Sequence, residues 1–128
     1  MSEKKTVLIL TDDAESTKVL AKEIEAALKE CKVSLKAASV FEGTDLLPAD
    51  TFFVGCEKPN PHSFAYLEEM LKHINLAGRS CGIFSPGNAG AVDYLSQLVT
   101  DSEISVKAEP FLSPDTAKIA AWAQTITG

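Results

Sequence analysis

The chain has 128 residues, 45% hydrophobic and 23% charged, an ordinary globular composition at a length that one core can organise without a metal or disulfides. A net charge of −6 and a pI near 4.8 argue against a nucleic-acid or anionic-membrane binder, because phosphate contacts need clustered Lys and Arg; a basic protein is the partner such a field would draw. Cys31, Cys56 and Cys81 show no CxxC spacing, so reduced thiols packed as small apolar residues are expected rather than a disulfide framework or a zinc site.

In chain order, Met1–Lys5 leads into the apolar run Val7–Leu10, which is too short for a signal-peptide core or a membrane span, so a cytoplasmic location is expected. Thr6–Leu10 reads as a buried strand. Leu20, Ile24 and Leu28 then recur every fourth residue among Lys and Glu, the stripe of an amphipathic helix. Val33, Leu35 and Ala37 form a weaker second strand, and the stretch through Phe41, Gly43 and Pro48 leaves room for a turn or short helix. Thr51–Gly55 is the third strand, ended by the glycine and by Pro59 and Pro61.

A second long helix carries Phe64, Leu67, Leu71 and Ile74 on one stripe, with Gly78 closing it. Cys81–Phe84 is a fourth strand running into the turn formers Ser85, Pro86, Gly87 and Asn88, and Val92, Leu95 and Val99 mark the next helix. Ile104–Val106 is a fifth strand. Ser113, Pro114 and Asp115 read as N-cap, first helical proline and first-turn carboxylate of a last helix that buries Ile119, Trp122 and Ile126. Without repeat or linker, residues 1–128 are expected to form one α/β domain whose parallel sheet is buried on both faces. Right-handed crossovers in this order give a doubly wound sheet, with ligands at the carboxyl ends of its strands. The loops Thr11–Thr17, Cys56–Ser63 and Ser85–Gly90 would meet there.

On these loops the chain resembles the flavodoxin family. Thr11-Asp12-Asp13-Ala14-Glu15-Ser16-Thr17 is similar to the T/S-x-T-G-x-T loop that cradles the phosphate of FMN, and Leu76–Ser85 resembles the L-x-G-K stretch with its following strand and F-G-S-type loop. Ala121-Trp122-Ala123 in the last helix is also similar to that family. The resemblance implies a three-layer sandwich around a five-stranded parallel sheet of order 2-1-3-4-5. It also implies a cofactor site for FMN at Thr11, Ser16, Thr17, Cys56, Glu57, Lys58, Ser85, Pro86, Gly87 and Asn88.

The first loop departs from the pattern in ways that bear on affinity. Ala14 replaces a hydroxyl residue, Glu15 stands where the family has glycine, and Asp12 and Asp13 add carboxylates. At 6 Å and a dielectric near 20, each carboxylate repels each unit of phosphate charge by about 3 kcal/mol before screening. The ring loops lack Trp, Tyr and Phe, leaving His62, Phe64 and Tyr66 as the nearest rings. The expectation is therefore a flavodoxin-like binding or regulatory module whose FMN affinity is weak or lost. The alternative is an FMN-binding electron carrier that holds the phosphate through Lys58 or the Ser85–Gly90 backbone. Neither reading makes the chain a self-sufficient catalyst, and no Ser–His–Asp or Cys–His spacing is visible around His62 and His73.

Other readings of the same residues differ in chemistry. Asp12, Asp13 and Glu15 are suited to stabilising a helix N-terminus. Asp12 and Asp13 also resemble the Mg²⁺-holding acidic pair of response-regulator receivers, and Glu109-Pro110-Phe111 resembles the receiver Lys-Pro-Phe. Gly55 and Cys56, however, occupy the phospho-acceptor region, making this a degenerate receiver. At the end of the third strand, Cys56 stands two residues from Lys58, a neighbour able to lower a thiol pKa, although a packed inert thiol is the plainer reading.

Overall fold

The computed structural model describes residues 5–106 and 108–127, so the Met1–Lys4 part of the N-terminal segment lies outside it. Strand β1 (Thr6–Thr11) is the hub of the sheet, pairing in parallel with β2 (Lys32–Ala37) on one side and β3 (Thr51–Gly55) on the other. β4 (Ser80–Ser85) continues beyond β3 and is followed by β5 (Ser105–Val106), giving the order β2-β1-β3-β4-β5. The fifth strand differs from the sequence expectation. It pairs only with Ser80 and Cys81, and a sixth strand, β6 (Phe111–Leu112), resumes the pairing at Phe84 and Ser85. Pro110, immediately before β6, has no N–H to give a ladder, which fits an interruption there.

Alternation along the strands divides the core. Val7, Ile9, Phe53 and Phe84 face α1 (Glu15–Ala27) and α5 (Thr116–Thr127), where Leu20, Ile24, Ile119 and Ala123 meet them. Leu8, Leu10, Phe52, Val54 and Ile83 face the other layer. That layer consists of the short α2 (Gly43–Leu46), α3 (Ala65–His73, after a 3₁₀ turn at His62–Phe64) and α4 (Ala89–Thr100). The edge strand β2 is only half-buried, as its weaker pattern predicted, and Lys36 ties it to α2 through a 3.0 Å ion pair with Asp45. A backbone hydrogen bond from Glu42 and this lysine hold the Asp45 carboxyl below its ordinary pKa.

Two glycines make room for aromatic rings on the α1/α5 face. In the β3–β4 register Phe53 stands opposite Gly82, and Gly55 opposite Phe84. A Cβ on Gly82 would lie 2.9 Å from both Phe53 and Trp122, and one on Gly55 only 2.3 Å from the Phe84 ring. Trp122 packs edge-on against Phe53 and Phe84, is tilted against Phe111, and donates its indole N–H to the Glu109 carbonyl at 2.8 Å. The expected burial of Trp122 is thus partial, because its polar edge reaches a surface loop.

Two helix boundaries also move. α3 stops at His73, so Ile74 lies beyond it and Gly78 does not cap it. The Asn75 side chain instead accepts from the Ala77 N–H at 2.9 Å, an Asx turn, and Gly78 (φ +88°) shapes the connection into β4. At α5, Asp115 rather than Ser113 serves the first-turn amides, accepting from Ala117 N at 2.9 Å and Lys118 N at 3.3 Å; Ser113 Oγ accepts from Asp115 N one step earlier. Among the described residues, no helix is long and apolar enough to cross a membrane.

Candidate functional site

Parallel strands deliver their following loops to one edge, so the segments after β1, β3, β4 and β6 converge at the carboxyl end of the sheet. They enclose two neighbouring open clefts. One, of about 410 Å³, is lined by Ser16, Glu57, Lys58, Pro86, Gly87, Asn88 and Pro114. The other, of about 340 Å³, runs from Asp12, Asp13 and Ala14 to Pro61, His62 and Ser63. Glu57 and Lys58 line both, so the β3 loop forms the shared wall.

Of the ten residues expected at a cofactor site, Ser16, Glu57, Lys58, Pro86, Gly87 and Asn88 line the first cleft. Thr11, Thr17, Cys56 and Ser85 are buried and line neither. Ser85 Oγ accepts from Asn88 N at 3.4 Å, and the Asn88 side chain caps α4 by accepting from Ala91 N at 3.2 Å. Thr17 Oγ1 is the one buried side-chain polar atom without a hydrogen-bond partner among the described residues.

The carboxylates of the first loop do not share one role. The N-cap of α1 is Ala14, which supplies no side-chain cap. Asp12, instead of capping α1, joins two loops: Oδ2 accepts from the Glu57 backbone N–H at 2.9 Å, and Oδ1 accepts from Ala14 N at 3.4 Å. Ser16 Oγ donates to the Glu57 carboxylate, a second tie between the same loops. Asp13 and Glu15 are exposed, Glu15 in the first turn of α1 where a negative charge is favoured. Sequence spacing could not reveal the role of Asp12, because its partner lies 45 residues away. Pro114 was also missed as a cleft residue; the sixth strand that brings it to this edge has only two residues.

The nearest aromatic rings are mostly elsewhere. Phe64 is fully buried and packs near Tyr94, Tyr66 packs on Phe41, and only His62 lines a cleft. Beside the second cleft's loop, a smaller groove contains Tyr94, whose hydroxyl donates to Glu68; burial first, then that carboxylate, raises its pKa.

The thiols separate by environment. Burial, reinforced by the nearby Asp12 charge, pushes Cys56 up to about 12, so Lys58 does not activate it; burial alone does the same to Cys81. At mildly alkaline pH, Ellman's reagent should release one equivalent promptly, from the half-buried Cys31, and the other two only on unfolding. Prompt reaction of all three would overturn that assignment. Because the unfolded thiols lose protons first, stability should fall as pH rises from about 9 towards about 12. Among the described residues, no group of three His, Cys, Asp or Glu side chains could hold a metal ion.

The sheet order, the two helical layers and the cleft at the strand ends define a flavodoxin-like fold. Flavodoxin 2 from Bacillus cereus superposes with a TM-score of 0.83 at 18% identity, covering 96% of this chain and 97% of that one. The flavodoxin of Streptococcus pneumoniae TIGR4 gives 0.81 at 17% identity over 95% and 97% of the two chains. A Fusobacterium nucleatum flavodoxin bound to flavin mononucleotide gives 0.76 at 15% identity over 96% and 97%. No protein-family model matches the chain, and no curated protein does.

Proposed function

We propose that this chain is a flavodoxin-like binding module with weak or lost FMN affinity, acting through a partner rather than as a self-sufficient catalyst. The observation supporting it is the network at the first loop, where the Ser16 hydroxyl is engaged by Glu57 and the Asp12 carboxylate binds the Glu57 amide. A phosphate arriving at the start of α1 would meet a Ser16 hydroxyl and an Asp12 carboxylate already bonded, and would face the carboxylates of Asp13 and Glu57. The carboxylates of Asp12, Asp13 and Glu57 at this point weigh against an FMN phosphate. With net charge −6 and the exposed carboxylates Asp13 and Glu15 near the clefts, a basic protein surface is the proposed partner.

The first turn of α1 favours a second reading, an FMN-binding electron carrier, because helix N-terminal amides that lack a side-chain cap would gain an acceptor from an anion. Titrating the full chain with FMN, followed by flavin fluorescence and absorbance, separates the two. The binding-module reading expects a dissociation constant above roughly 10 μM, weaker than about −7 kcal/mol. Sub-micromolar binding with perturbed flavin bands would sink it in favour of the carrier.

A further inference from the structure

The sheet has two edges, and the chain treats them differently. On the β4 side the edge is broken: β5 and β6 have two residues each, β5 pairing at Ser80 and Cys81 and β6 at Phe84 and Ser85, with Pro110 just before the second piece. Short pieces, an interruption and a proline close an edge to further pairing. On the other side β2 runs unbroken for six residues, contains neither proline nor glycine, and among the described residues pairs only with β1.

The backbone of β2 has free groups on its outer side. In a parallel ladder the N–H and C=O of one residue point to the same neighbour, and successive residues point to opposite sides. Lys32 N donates to the Lys5 carbonyl at 2.8 Å and Ala38 N to the Thr11 carbonyl at 2.8 Å, so the even-numbered residues face β1. Val33, Leu35 and Ala37 therefore aim their N–H groups away from the sheet, as Val33 and Leu35 do their carbonyls; the Ala37 carbonyl is taken by Val40 N at 3.0 Å. The side chains alternate as well. Val33 and Leu35 are half-buried against the α1/α5 layer and leave apolar surface for a neighbour to cover. Lys32, Ser34 and Lys36 line the opposite face. Lys36 is held there by Asp45, whereas the exposed Lys32 has no carboxylate partner among the described residues.

We propose that β2 is a docking strand for an extended segment of a partner protein in which acidic and apolar residues alternate. Such a segment would complete the ladder on Val33, Leu35 and Ala37, lay its apolar residues over Val33 and Leu35, and set its carboxylates beside Lys32 and Lys36. The lysines also disfavour a second copy of this chain as the occupant. Antiparallel pairing centred on Ser34 would put Lys32 of each copy opposite Lys36 of the other, and like charges so placed repel. The edge shares no residue with the strand-end clefts, so the proposal goes beyond the basic surface proposed there and does not depend on it.

The probe is a capped heptapeptide of alternating valine and glutamate, long enough to span β2, added to the full chain and followed by amide NMR shifts and hydrogen exchange. Saturable shifts along β2 are expected. At saturation, exchange should slow more than about tenfold at Val33, Leu35 and Ala37, while Ser34 and Lys36, already bonded to β1, change little. Replacing glutamate by lysine in the peptide should weaken binding at least about tenfold at low salt, and Lys32→Glu in the protein should remove most of that preference. The glutamate peptide N-methylated at every residue keeps its side chains, loses its donors, and should not bind. Three results overturn the proposal: no saturable shift at β2, equal binding of the glutamate and lysine peptides, or an N-methylated peptide that binds as well as its parent, which would make the contact one of side chains alone. The peptide comparisons need no protein variant, so they decide the matter whatever Lys32→Glu does to the fold.

Discussion

Replacing Gly55 with alanine is expected to destabilise the protein by about 3 kcal/mol, the upper end for overpacking a core, and to lower the melting temperature by roughly 10 °C. The added methyl would lie 2.3 Å from Cε2 and 2.4 Å from Cζ of Phe84, a fully buried ring that Trp122 packs against. Neither element can yield cheaply. Gly55 is the last residue of β3, paired with Thr11 of β1 and Phe84 of β4, so moving its backbone disturbs two ladders at once. Combining Gly55→Ala with Phe84→Leu should restore part of the loss, a favourable coupling of at least about 1 kcal/mol in a double-mutant cycle. Urea unfolding of the four proteins measures it. Strict additivity would mean that the glycine is not there to clear the ring.

Asp12→Ala should cost about 2 kcal/mol, since a carboxylate accepting two backbone N–H bonds in a site only 6% exposed is lost without replacement. Asp12→Asn should cost less than half as much, because its amide oxygen can still accept from Glu57 N. The consequence at the site is larger than at the core: amide exchange at Glu57 should accelerate by more than about tenfold in Asp12→Ala, as the tie to the β3 loop opens. Both variants are measurable by urea unfolding and hydrogen exchange. An Asp12→Ala protein within about 0.5 kcal/mol of wild type, the scatter of ordinary surface changes, would refute the loop-tie role.

The alternation of short apolar runs with amphipathic stripes was enough to read β1, β3, β4 and the long helices, because burial on both sheet faces leaves a strong imprint on residue order. Elements held mainly by tertiary pairing were weaker in the sequence. β6 has two residues and exists because Phe111 and Leu112 find the outer edge of β4 beyond Pro110. The end of α3 depends on the Asn75 turn, a local side-chain competition that a glycine three residues later obscured. Strand order was enough to bring the three loops to one edge, where six of the ten residues expected on them line a cleft. What Asp12 and Ser16 do could not be read from it, since both act on a loop more than forty residues distant. The acidic first loop reads as repulsive in sequence and as a junction in three dimensions.

The paired exchange of ring and glycine between β3 and β4 also bears on how faithfully the two strands align during folding. A one-residue slip would turn each β4 side chain to the opposite layer. A two-residue slip preserves that alternation and is the harder error to exclude, but here it would set Phe53 opposite Phe84 in one direction and Gly55 opposite Gly82 in the other, losing the match of ring to glycine either way. The sheet therefore carries its own proofreading against the misalignment that hydrophobic patterning tolerates. Correct alignment in turn sets how far the Cys56–Pro61 and Ser85–Asn88 loops project beyond the strands, and so the spacing of the cleft walls.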